Sequence, residues 1–194
     1  MKKILISLMA IALVIGLVGA GTMAYFNDTE TSEDNTFAAG TLDIGLSPTT
    51  IDWTNKKPGD TGTNTQTITN NGTLPVSEIT ATTSVTESDG AGDGVMLDDY
   101  IVMNTATLTI AGGSPINLLA LMTDTNSGGI GGTGAIELDE FLAQFDTVFN
   151  SQTVALDLTE TAVLNLAWTF VDSGDQNNAQ GDSVVVDITF VAAQ

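Results

Sequence analysis

Three acidic turns carry the side chains best suited to chemistry: "ESDGAGDG" with Glu87, Asp89 and Asp93, "LDDY" with Asp98 and Asp99, and "DSGDQNNAQGD" with Asp172, Asp175, Asn177 and Asp182. Carboxylate and amide oxygens on flexible loops are what calcium takes, six to eight at a time. The third turn is the richest, so Asp172, Asp175, Asn177 and Asp182 are the candidate metal ligands and calcium the possible ion; the pattern requires no cofactor. None of the three is the twelve-residue calcium loop, because Ala91 stands where an oxygen is needed. The plainer reading stays open, since Asp and Asn side chains in such turns commonly bond their own backbone.

Other chemistries lack their residues. The chain has no histidine and no cysteine. That excludes Ser/His/Asp and Cys/His catalysis and the common zinc sites. Adjacent Asp98 and Asp99 resemble a glycosidase acid and base only in type, for neighbours on a strand face opposite ways. No catalytic residue is expected, and the chain reads as a non-enzyme. "NSGGIGGTGA" is glycine-rich without the lysine and hydroxyl of a phosphate loop. With 4 basic residues against 24 acids and a net charge of −20, nucleic acid is excluded as a partner, because nothing would neutralise its phosphates.

The N-terminus is a different material. Lys2 and Lys3 precede an apolar run from Ile4 to Val18, and Thr22-Met23-Ala24 supplies the small residues at which a signal peptidase cuts. Residues 1–24 therefore read as a signal peptide cleaved between Ala24 and Tyr25. An uncleaved anchor is the alternative, since 4–24 is about the length that spans a bilayer. Either way the body is exported. Without cysteine it must rely on its core rather than on disulfides.

Beyond residue 34 the dominant period is two. "TLDIGL", "VLNLAWTFV" and "SVVVDITFVA" alternate as strands buried on one face do. Weaker strands are expected at 64–70, 75–86, 102–111 and 153–158, divided by turns such as "KKPGD" and "NNGT". "AIELDEFLAQFDTVF" instead spaces Leu138, Phe141, Leu142, Phe145, Val148 and Phe149 by threes and fours, an amphipathic helix with its acids on the wet side. It is expected to cap an end or flank of the strands. "SPINLLALM" reads as a second short helix or a buried strand. Trp168 is expected in the core, while Trp53 could stack on a sugar. The sum is an all-β antiparallel sandwich with one or two short helices.

In order along the chain, "GTMAYFND", "NTFAAGTLDI", "KPGD", "NNGTLPV" and "DQNNAQGDSVVVDITFVAAQ" resemble the TasA/camelysin (CalY) family of exported proteins, which includes archaeal bundling-pilus subunits. The resemblance implies a jelly-roll-like sandwich at 35–194 and cleavage before Tyr25 by a dedicated signal peptidase. It also implies homopolymerisation into an extracellular fibre or pilus of the biofilm matrix. In such fibres the mature N-terminal arm, 25–34, completes a sheet of the neighbouring subunit, here through Tyr25, Phe26, Asn27, Asp28, Thr29, Glu30, Thr31 and Ser32. A sandwich with an unpaired sheet edge would accept such a peptide. The competing functions are a monomeric surface adhesin or calcium-dependent lectin, and a camelysin-type metalloprotease.

Overall fold

The computed structural model describes residues 2–21, 39–49, 56–90, 92, 94, 96–126, 130, 132, 134–174 and 176–194. Residues 1–38 and 39–194 are two separate compact units. In the first, α1 (Lys2–Gly21) is an unbroken helix with no polar face. Its apolar side chains from Ile4 to Ile15 are exposed, and among the described residues no helix is long and apolar enough to cross a membrane.

The second unit is an antiparallel β body with two sheets. Strands β1 (Ile44–Ser47), β2 (Thr61–Asn70), β4 (Ile101–Ile110), β5 (Ile116–Asn117) and β6 (Thr161–Phe170) form one sheet in the order β1-β2-β6-β4-β5. Strands β3 (Glu78–Ser88) and β7 (Ser183–Ala193) form the other. The inward residues of both sheets belong to one core. In β6, Ala162, Leu164, Leu166, Trp168 and Phe170 are all buried while the alternate residues are not, as the period of two demands.

Helix α2 (Leu138–Asn150) buries all six apolar positions that its spacing marks out. Phe141, Phe145 and Phe149 stack along it with ring centroids 5.3 and 5.5 Å apart, and Phe149 meets Phe190 of β7 at 5.5 Å. Its position is a flank: the Asn150 side chain accepts the Ala81 N–H at 2.7 Å and donates to the Ala81 carbonyl at 3.0 Å, and Asp146 accepts the Thr83 N–H at 2.9 Å. Two side chains thus stand in for a strand along the outer edge of β3, satisfying groups that would otherwise be orphaned.

Three local expectations change. Residues 153–158 make no strand; among the described residues they contribute one bridge, Val76 with Leu156, and the Val154 carbonyl that accepts the Ile79 N–H. Their alternation is satisfied by burying Val154 and Leu156 without a full ladder. "SPINLLALM" divides into the two residues of β5 and a single 3-10 turn, Leu119–Leu121. The acids of α2 are not all wet, for Glu140 is buried.

Candidate functional site: an open sheet edge and an acidic end

The second sheet is two strands wide against five, and the shortfall is visible in its side chains. On β3, the N–H groups of Ile79, Ala81 and Thr83 point away from β7, to Val154, Asn150 and Asp146. The even residues of β3 therefore form the ladder with Val191, Thr189, Asp187 and Val185, because ladder bonds alternate between the two sides of a strand. It follows that the main-chain groups of Val184, Val186, Ile188, Phe190 and Ala192 face the other edge of β7. Among the described residues no strand pairs there.

The side chains of the same five residues point inward, yet each is only half-buried, whereas their counterparts on β6 are fully covered. Ile44 and Leu46 on β1, at the rim of the larger sheet, are half-buried as well. Here, among the described residues, a row of main-chain groups without a strand partner and an incompletely covered apolar layer coincide. Such an edge is a template for another strand.

The first and third acidic turns, linked by Gly90 and Asp182 across a separation of 92 residues, meet at one end of the body. The Asp182 Oδ1 accepts the Gly90 N–H at 2.7 Å, tying the loop after β3 to the loop before β7. This approach needs glycine: a Cβ on Gly90 would lie 2.3 Å from the Gly181 carbonyl oxygen. Asp89 accepts the N–H groups of Gly92 and Gly94, the self-bonding turn that the plainer reading anticipates. Asp98, in the 3-10 turn Leu97–Tyr100, is 2% exposed. Glu87, exposed at the end of β3, is the neighbouring carboxyl that acts on it most strongly.

Of the four residues singled out for a metal, Asp172 is exposed, Asp182 is engaged with Gly90, Asp175 lies outside the described residues, and the Asn177 side chain is likewise not described. Ala24, Tyr25 and the whole arm, Tyr25 to Asp34, also lie outside the described residues, as does Trp53. Sequence reasoning missed Glu140, whose Oε1 accepts the Thr125 N–H at 2.6 Å, the Thr125 hydroxyl at 2.7 Å and the Asn126 N–H at 2.6 Å. Nothing local marks it, because its partners lie 14 and 15 residues away.

These environments move the carboxyls in opposite directions. Burial, followed by the contact and charge of Glu87, pushes Asp98 up to about 7. Burial also pushes Asp139 up, with the charge of Asp99 adding to it. For Glu140 burial acts upward too, but the donors from Thr125 and Asn126 outweigh it and hold the carboxyl below its ordinary range.

The sign for Asp98 follows directly. Between its ordinary value of 3.8 and about 7 the folded chain binds more protons than the unfolded one, so this group's stabilisation is full at the acid end and is lost as pH rises through that window. Denaturant unfolding in chelator from about pH 4.5 to about pH 7.5 is expected to give Asp98→Asn a pH slope less negative than wild type by up to about 1.4 kcal/mol per unit. Parallel slopes for the two proteins would contradict the assignment.

Residues 1–113 match the family model described as camelysin metallo-endopeptidase. The chain is 32% identical over 126 residues to the major biofilm matrix component of Bacillus subtilis (strain 168), covering 61% of this chain and 48% of that protein. The chain thus spans about half the length of the curated relative it matches. By the family match, which covers more than half of it, the chain belongs to the camelysin/TasA family.

Proposed function

We propose that this protein is a structural subunit of an extracellular biofilm-matrix fibre or pilus, polymerising when the N-terminal arm of one copy adds to the open edge of β7 in the next. The observation that carries the reading is that edge, where main-chain groups without a strand partner among the described residues lie along one line with half-buried Val184, Val186, Ile188 and Phe190. The similarity to a major biofilm matrix component supports it. On this reading residues 1–24 are a signal peptide, 25–34 the arm and 35–194 the body. Helix α1, apolar on every side, suits a segment that a translocation machinery receives and a peptidase removes. Cleavage would free Tyr25 and Phe26 to lead the arm, so that export itself licenses assembly. Removal of Lys2 and Lys3 would leave two cations against 24 acids. The arm's own Asp28, Glu30, Glu33 and Asp34 must therefore face outward, because burying them unpaired is costly.

The family's peptidase label does not fit the residues of this chain. A catalytic zinc takes three protein ligands, drawn mainly from His, Cys and carboxylates. This chain has no His and no Cys, and among the described residues no three acidic side chains converge on one point. We read it as a non-enzyme, a reading that the similarity to a major biofilm matrix component supports.

Electron microscopy of the mature protein beside a version lacking 25–34 tests the fibre reading. The expected result is filaments from the first and a folded monomer from the second. Filaments of unchanged form and yield from the shortened protein would end it.

A further inference from the structure

The body carries its charge unevenly. The chain has 24 acids and a net charge of −20, yet not one residue of β1, β2, β4, β5 or β6 is charged. The smaller sheet, by contrast, holds Glu78, Glu87 and Asp187. Since one side of the five-stranded sheet is the core, its other side is an uncharged outer face. Along β2 that face shows a threonine at every second position from Thr61 to Thr69, exposed or half-buried, while Gln66, Ile68 and Asn70 turn inward and are buried. The register continues the pattern across the sheet: Asn165 of β6 lies between Thr65 and Thr107, and Val163 between Thr67 and Thr109. The Thr65 hydroxyl donates to the Asn165 Oδ1 at 2.7 Å, and the Asn104 amide to the Thr169 hydroxyl at 2.7 Å. The face is thus tied crosswise by its side chains as well as by its backbone.

An outer face normally mixes charges of both signs, which keep it soluble. Depletion of charge is instead the mark of an interface core. The side chains also suit docking, since β-branched threonine is stiff at χ1 and has little rotamer freedom to lose, whereas long charged side chains lose most. The charge distribution selects the occupant. A basic partner would seek acids, which this face does not offer, and an acidic polymer would be repelled by the body around it. A neutral sugar chain is commonly held against aromatic rings, and those of these five strands, Trp168 and Phe170, are buried on the inward side. A second copy of this chain fits. Elsewhere, as at exposed Asp187 on the smaller sheet, two copies would set acid against acid; here hydroxyls and amides meet their own kind.

We infer that the uncharged threonine face of the five-stranded sheet is a contact between two copies of this chain, packed face to face about a two-fold axis. Such a contact is self-complementary, so one patch serves both partners. Three strands of ten residues, at about 3.4 Å per residue and about 4.8 Å apart, offer about 500 Å² per copy. About 1,000 Å² in total is at the low end for a specific interface, so each contact is weak and exchanges readily. Asp60 and Glu160 stand immediately before β2 and β6, which run antiparallel, and therefore mark opposite ends of the face. Added salt, which shortens the reach of those rim charges, strengthens the contact. The inference uses neither the arm nor the open edge of β7 and stands apart from the fibre reading. If fibres form, the same weak contact repeated along two of them joins them side by side.

The chain has no cysteine, so a single introduced one reports its own neighbour. In the mature protein, Thr65→Cys, Thr107→Cys and Ala167→Cys are made one at a time and oxidised, and the rate of disulfide-linked dimer formation is compared with that of Thr82→Cys, an exposed position on the outer face of β3. A residue near a two-fold axis meets its own copy, so at least one of the three is expected to cross-link about tenfold faster than the control. Cross-linking by all three at the control rate would refute the contact, whether or not filaments form. Charge supplies the second arm, on the version lacking 25–34, whose body is a compact unit of its own and in which fibre growth does not contribute. Sedimentation equilibrium at up to about 1 mM is expected to show reversible dimers of the parent and of Thr82→Asp, and at least tenfold weaker association of folded Thr65→Asp and Thr65→Lys alike. Tighter association of Thr65→Lys would mean that the face meets an acidic surface, and a parent that stays monomeric at that concentration would mean that it meets no copy; either result overturns the inference.

Discussion

Val186→Pro and Ile188→Pro are expected to abolish filament formation or raise the critical concentration about 100-fold, while leaving the monomer folded. The reason is the alternation of β7. The N–H groups of Val186 and Ile188 face the open edge, whereas that of Asp187 is committed to Ser84 on β3. Proline removes a donor and adds bulk, which an edge strand tolerates only on its free side. An incoming strand then loses a main-chain bond worth about 0.5–1.5 kcal/mol and meets the ring; about 2.7 kcal/mol in all corresponds to the 100-fold change. Asp187→Pro is the informative contrast, because it breaks the β3 ladder and should lower monomer stability instead. Circular dichroism and sedimentation on all three variants separate the two effects. Unaltered assembly of a folded Ile188→Pro protein would show that β7 is not the acceptor.

The second large effect lies in the core. Phe145→Ala should destabilise the body by about 3–5 kcal/mol. Phe145 is 0% exposed and sits between Phe141 and Phe149, so its removal leaves a cavity that a helix packed on a sheet cannot collapse into. At about 2–4 °C per kcal/mol for a body of this size, the melting temperature should fall by about 6–20 °C. The damage reaches beyond packing, since α2 also carries Asn150 and Asp146 to the edge of β3. Loosening it exposes a second strand edge, so aggregation should accompany unfolding. Urea titration with an unchanged slope checks the magnitude; a loss below about 1 kcal/mol would mean that the site repacks.

Several features were legible in the residues alone. The alternation in Thr161–Phe170 and Ser183–Ala193 fixes strands because side chains two apart share a face, a local rule that needs no partner. The three-and-four spacing from Leu138 to Phe149 fixes α2 for the same kind of reason. Composition also limited the chemistry, since a chain without histidine or cysteine cannot build the common nucleophilic or zinc centres. Periodicity could not distinguish a strand inside a sheet from one at its margin. β6 and β7 alternate equally well in sequence, yet β6 is paired on both sides and β7, among the described residues, on one.

That distinction is decided by which strands pair, and pairing is a matter of contacts between residues about a hundred apart, such as Glu78 with Ala193. The same non-local contacts buried Glu140, reduced 153–158 to a single bridge, and drew Glu87, Asp98 and Asp182 to one end of the body. The sequence by itself determined the strands, the helix and the acidic turns, because each depends on neighbours within a few residues. Only the tertiary structure decided which edge stays open and which carboxyls are forced together, because burial and charge proximity arise when distant segments share one core.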